Sequence, residues 1–162
     1  MFRNKWPHIL MATLPLLLLA NVATANPEAD TIITADSARF YQHEGWGIYE
    51  GNAELEQGNR KMTARTIKLF INQNGDLTRV EAEGNPVTLQ DGNDTHARAQ
   101  KLVYQVAKDT ITLTKNAYIN NAGRTFEGAR VVYHLGSQNV EASSQQPGER
   151  VRLVIPGEKA KP

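Results

Sequence analysis

The sequence predicts an all-β protein, a repetitive antiparallel sheet of a dozen or more short strands with one apolar face, and three observations predict it. Turn signals recur with a near-constant beat: Gln57-Gly58-Asn59, Asn74-Gly75-Asp76, Asp91-Gly92-Asn93-Asp94, Ala107-Lys108-Asp109, Asn121-Ala122-Gly123 and Gly136-Ser137-Gln138-Asn139, with β-branched and aromatic residues between them. Half-way between alternate turns lies a second punctuation, Gly51-Asn52-Ala53, Gly84-Asn85-Pro86 and Lys115-Asn116-Ala117, where a Gly-Asn pair bends a strand through a corner or bulge. Finally, a small-x-x-apolar-x-apolar pattern repeats at Ala64, Ile67, Leu69, at Ala99, Leu102, Tyr104 and at Gly128, Val131, Tyr133, with a weaker copy at Ala35, Ala38, Phe40.

Taken in order, the chain begins with Arg3 and Lys5 ahead of an apolar run over residues 9–20, then Ala23-Thr24-Ala25, the small-x-small pattern of a signal-peptidase site. This predicts a secretory signal peptide over residues 1–25, cleaved after Ala25. Thr13 and Pro15 interrupt the run, which is short for a bilayer span. Residues 26–156 are expected to form the β domain and 157–162 a polar tail.

Within that domain each inter-turn segment divides at its corner into two short strands. One stretch resists: Ala99, Leu102, Val103 and Val106 have the spacing of an amphipathic helix. The repeat decides for strand, because its copies around Ile67 and Val131 are rich in β-branched residues. Alternation then puts Ile67, Leu69 and Ile71, then Leu102, Tyr104 and Val106, and then Val131, Tyr133 and Leu135 on one face, with Lys68, Lys101, Gln105, Arg130 and His134 on the other. The apolar lining is expected to carry Phe40, Tyr49, Tyr104, Tyr118, Phe126 and Tyr133 along its length. Such a sheet buries its apolar side by folding over on itself as a sandwich, roll or V-shaped trough, and a roll of repeated units leaves two free edges for another sheet to join.

Composition narrows the chemistry. Without Arg3 and Lys5 the 18 basic residues fall below the 17 acidic ones, which argues against a nucleic-acid binder. An exported chain with no cysteine has neither a disulfide framework nor thiolate chemistry. His43, His96 and His134 have no metal-ligand spacing, the serines lack a Gly-x-Ser-x-Gly elbow, and Asp36, Glu54, Glu81 and Asp109 fall on strand edges. Gly51 and Gly84 open no phosphate-binding loop. The expectation is therefore a non-enzymatic protein without metal or cofactor. Two other classes compete with a ligand-carrying groove: a chaperone-like or structural β-repeat protein using the same edges without binding lipid, and a glycan-active enzyme on a jelly roll.

The motifs Ile32-Ile33-Thr34-Ala35-Asp36, Gly51-Asn52-Ala53, Gly84-Asn85-Pro86, Tyr118 after a second Asn-Ala, and Arg150-Val151 leading to Val154-Ile155-Pro156, behind a signal peptide, resemble the organic-solvent-tolerance (OstA-like) family of periplasmic lipopolysaccharide-transport proteins. The likeness covers residues 31–156; Lys115 stands where the repeat prefers Gly. The resemblance implies a twisted, V-shaped antiparallel β-jelly roll in the periplasm, whose inside carries the lipid A acyl chains of lipopolysaccharide. It also implies a head-to-tail homo-oligomer between an inner-membrane-anchored (LptC-like) partner and an outer-membrane assembly (LptD-like) partner, with no cofactor and no catalysis. Carried over, the lipid-facing residues are Ile33, Leu89, Tyr104 and Val106, then Phe40, Leu102 and Leu113. The joining strands are expected to hold Ile32, Ile33 and Ala35 at one end and Val151, Leu153, Val154 and Ile155 at the other.

Overall fold

The computed structural model describes residues 29–145 and 147–157, so the expected signal peptide and most of the polar tail lie outside the described residues. Ten antiparallel strands form one open sheet: β1 (Thr31–Thr34), β2 (Ser37–Tyr41), β3 (Trp46–Gln57), β4 (Arg60–Ile71), β5 (Leu77–Asp91), β6 (Thr95–Gln105), β7 (Thr110–Asn121), β8 (Arg124–His134), β9 (Asn139–Ser143) and β10 (Arg152–Val154). The central path runs β1-β3-β4-β5-β6-β7-β8-β10, while β2 pairs β3 and β9 pairs β8. The all-β class is as expected, but strands β3 to β8 run unbroken through their corners, so the strands are fewer and longer than a dozen short ones.

Every pairing among those long strands shifts register half-way: between Glu50 and Ala53, Thr63 and Thr66, Glu83 and Val87, Arg98 and Lys101, and Thr114 and Ala117. These aligned bulges divide the sheet into two layers. One holds β2, β9 and the halves of the long strands around Tyr49, Ile67, Val80, Leu102, Leu113 and Val131. The other holds β1, β10 and the halves around Leu55, Met62, Leu89, Ala97, Ile119 and Phe126. Residues of both layers enter one core cluster, in which Ile67, Leu102, Ile111, Leu113, Ile119 and Val131 are wholly removed from solvent. The bulges make this possible, since an extra residue bends the strand and re-aims the side chains beyond it.

The same geometry explains the repeat. Ala64 and Ile67, and likewise Ala99 and Leu102, are buried although three apart, because one of the two residues between each pair, Arg65 or Gln100, is left unpaired in the bulge. A bulged strand thereby imitates helical spacing; β6 is nonetheless a strand throughout and ends in a single 3-10 turn at Val106–Lys108. At the third corner Lys115 and Asn116 adopt left-handed φ of 63° and 56°, so the bulge forms without the glycine that the repeat prefers. It also changes which side chains point inward: Ala117 and Ile119 are buried, and Tyr118 faces outward beneath the Arg98 guanidinium, 4.0 Å from its ring centre, rather than lining the interior.

Gly51 is required at the first corner. Its φ is +79°, and a Cβ there would stand 2.9 Å from the Asp36 Cβ and closer still to the carboxylate. Asp36 is fixed in place: its N–H donates to the Gly51 carbonyl at 2.8 Å, and its Oδ2 accepts from Asn52 Nδ2 at 2.9 Å. Gly51→Ala is expected to cost about 2–3 kcal/mol in urea unfolding, since the left-handed penalty and the clash add. Gly92→Ala, at φ +61° with nothing within 4 Å, should cost only about 1 kcal/mol. Equal losses would mean that Asp36 yields freely.

Candidate functional site: an apolar interior with two open ends

The interior is built from positions that alternate inward along each half-strand. Leu89 on β5 lies between Met62 and Ala97, Leu102 on β6 between Ala82 and Leu113, and Tyr104 between Val80 and Ile111. Leu113 on β7 is flanked by Leu102 and Val131. All four are buried in the core cluster. Ile33, opposite Leu55 on β1, and Val106, in the 3-10 turn rather than on a strand, pack partly buried against that cluster. Phe40 lies opposite Gly47 on the edge strand β2 and is mostly exposed. Six of the seven expected lipid-facing residues are thus in the core cluster or packed against it, and Phe40 stands exposed on the edge strand.

The ends have a distinct composition. Exposed large apolar side chains among the described residues are confined to β1, β2, β10 and the residues flanking β10: Ile32 (58% exposed), Phe40 (52%), Tyr41, Val151, Leu153 (50%), Val154 and Ile155 (66%). Tyr41 stacks on Trp46 with ring centres 4.2 Å apart, which closes the outer corner of that end. Of the expected joining residues, Ile32 and Ile33 are on β1, Leu153 and Val154 on β10 opposite Phe126 and Thr125, and Val151 and Ile155 beside it. Ala35 sits in the bend between β1 and β2, partly buried against the core.

Away from the strand ends beside the turns, the paired charges lie on the outer surface. Glu54 and Glu56 both engage Lys61 and hold its ammonium above the ordinary lysine value. A groove of about 330 Å³ between Lys61, His96, Arg98 and Tyr118 is on this outer surface, not in the interior. No group of three or more potential metal ligands occurs among the described residues.

Sequence reasoning missed one inward-facing element. Thr31, Gln57, Arg60, Asp91, Thr95, Asn121 and Arg124 are in register, one on β1 and one on each of β3 to β8, and form a transverse polar row beside the turns. Tyr133, from the opposite layer, donates its hydroxyl to Asp91 Oδ2 at 3.4 Å. Burial first, and then the neighbouring Asp91 carboxylate, raise the Tyr133 phenol above its ordinary value, so it is a neutral donor at physiological pH. The signal was present in the sequence: the last paired residue on each side of the turns after β3, β5 and β7 is polar where alternation calls for an apolar one.

A bent antiparallel sheet closed over an apolar interior, with apolar edges at both ends, defines a β-jelly roll open at its two ends. Residues 32–139 match the family model described as LptA/(LptD N-terminal domain) LPS transport protein. The chain is 32% identical over 163 residues to the lipopolysaccharide export system protein LptH of Pseudomonas aeruginosa, covering 88% of this chain and 93% of that protein. It is 26% identical over 153 residues to the lipopolysaccharide export system protein LptA of Escherichia coli K12, covering 91% and 80%. The crystal structure of LptH, the LptA homologous periplasmic component of the lipopolysaccharide transport device of P. aeruginosa, superposes with a TM-score of 0.73 at 28% identity, covering 80% of this chain and 96% of that one. The chain belongs to the LptA/LptD N-terminal family of lipopolysaccharide-transport proteins.

Proposed function

We propose that this protein is a periplasmic, non-enzymatic lipopolysaccharide-export component that shelters acyl chains in its interior and stacks head to tail as part of a bridge from the inner to the outer membrane. The observation that carries the reading is the continuity of the apolar face. β1 and β10 lie in one layer and β2 and β9 in the other, so a second copy added end to end joins layer to layer and prolongs one interior. Unpaired backbone at those edges supports β-augmentation. Acyl chains need a dry environment while a glycan keeps its water, and an apolar roll serves both. In the chain the N-terminal edge is the candidate dock for an inner-membrane-anchored LptC-like partner, and the C-terminal edge for an LptD-like one. The signal segment over residues 1–25 fits delivery to the periplasm.

The test is a photo-crosslinking scan. Probes at Ile33, Phe40, Leu89 and Tyr104 are expected to capture lipopolysaccharide at least fivefold better than probes at Lys101, Val103 and Gln105, because side chains on one half-strand alternate in direction. Equal capture at inward and outward positions would overturn the interior as the binding surface.

A further inference from the structure

The roll has a hinge on one side and a seam on the other. At the hinge each long strand passes through its bulge from layer to layer, so the backbone is continuous. Opposite, where the turns of the two layers meet, no strand of the described residues crosses, and each crossing contact involves a side chain. Contacts from β4, β5, β6 and β7 of one layer to β6, β8 and the β8–β9 turn of the other cross there, among them a side-chain hydrogen bond between Tyr133 and Thr95. Tyr133 Oη donates to Asp91 Oδ2 at 3.4 Å, Asn121 Nδ2 donates to the Gln138 carbonyl at 2.9 Å, and the Arg60 guanidinium lies 5.5 Å over the Tyr104 ring. Within the row, Thr95 Oγ1 donates to Asn121 Oδ1 at 3.2 Å, and Arg60 Nη1 to Gln57 Oε1 at 3.1 Å.

This closure is weak for its position. The Tyr133 bond is near the limit of useful length. Arg60 Nε stands 3.9 Å from Asp91 Oδ1, beyond hydrogen-bond reach, and is buried without a hydrogen-bond partner, which costs free energy in the closed state. The core it closes is nonetheless packed to zero exposure, so an acyl chain enters only if the layers part. They cannot part at the hinge. Passage through the open ends with the seam shut would drag a hydroxylated head group through the dry core, where each polar group loses its water and finds no partner.

We propose that this seam is a lateral entry port for multi-acyl amphiphiles, latched by Asp91, Tyr133, Asn121 and the Gln138 carbonyl: the chains pass between the parted layers while the head group stays in water beside the polar row. The proposal rests on the lipid-carrying reading and adds the route and its latch. It also gives the row a purpose, since an apolar seam would bind more tightly when shut and offer the head group nothing when open.

The chain has no cysteine, so a pair placed at Asn121 and Gln138 yields the only disulfide the protein can form. Full mature protein carrying N121C and Q138C is mixed with fluorescein-labelled rough lipopolysaccharide, oxidised or reduced, beside the unaltered protein. Oxidation is expected to slow loading at least tenfold, with recovery on adding reductant. Tyr133→Phe, which keeps the buried ring and removes only the latch hydroxyl, is expected to load about threefold faster than the unaltered protein. If oxidised and reduced forms load alike, or Tyr133→Phe does not change the rate, the lipid enters by the ends and the seam proposal is wrong while the carrier reading stands. If unaltered protein takes up no lipopolysaccharide, the carrier reading fails and the port with it.

Discussion

Leu102→Asp is expected to leave the domain largely unfolded at pH 7 and 25 °C. Leu102 has no solvent exposure and is flanked by Ala82 and Leu113 in the middle of the interior, at the point where the two layers close on each other. Losing a fully buried leucine costs about 2–5 kcal/mol through lost transfer free energy and the cavity left behind. A carboxyl group in that place adds several kcal/mol more, either as an unpaired charge or as a neutral acid without a partner. Together these approach the ~5–15 kcal/mol that holds a domain of this size.

The pH dependence identifies the cause. Burial raises the pKa of the introduced Asp in the folded state above its unfolded value near ~3.9, so the native state binds more protons. Its penalty is then largest at neutral pH and shrinks as pH falls through the raised folded value. The folded fraction of Leu102→Asp without denaturant, followed by circular dichroism, should therefore rise from pH 7 toward pH 5 relative to that of the unaltered protein, whereas that of Leu102→Asn should show no such extra rise. A Leu102→Asp protein as stable as the original at pH 7 would mean that the interior is wet or already open at this position. That would remove the reason for a latch.

What the sequence disclosed and what it concealed follow from one structural device. Alternation within a half-strand is a local property, and it placed Leu89, Leu102, Tyr104 and Leu113 on a common face correctly. Across a corner the alternation resets, and sequence alone does not say which residue occupies the bulge. Continued alternation therefore puts Tyr118 in the interior, whereas the bulge at Lys115 and Asn116 leaves Ala117 and Ile119 inside and Tyr118 out. The helix-like spacing of Ala99, Leu102 and Val106 has the same origin. The polar row does not stand out in the sequence because Gln57, Asp91 and Asn121 adjoin the turns, where polar residues are ordinary. Only the register shows that they share one line and that Tyr133 from the other layer meets it. The ends were legible for a simpler reason: apolar residues such as Ile32 and Leu153 on terminal strands have no further strand of their own chain to cover them.

Placing lysine at Leu153 and Ile155 together is expected to abolish end-to-end growth while leaving the fold intact. Both residues are at least half exposed, so the monomer loses little, but in a stack they lie where the next copy must seat its edge. Substitution is a cleaner test than deletion, because removing residues from Val151 onward strips β10 from β8 and bares a new edge at Thr125 to Glu127. Light scattering over a concentration series should show the unaltered mature protein gaining mass steadily and the Leu153→Lys, Ile155→Lys protein holding at one subunit. A protein blocked at the other end by Ile32→Lys and Phe40→Lys should also hold at one subunit. The mixture separates the possible geometries. A head-to-tail interface joins unlike ends, so each blocked protein retains the end that the other lacks, and equal amounts should combine into a dimer and grow no further. An interface between like ends predicts the reverse: each blocked protein still dimerises alone through its untouched end. That outcome would refute the continuous interior, because two like ends facing each other cannot prolong a chain of subunits from one membrane to another.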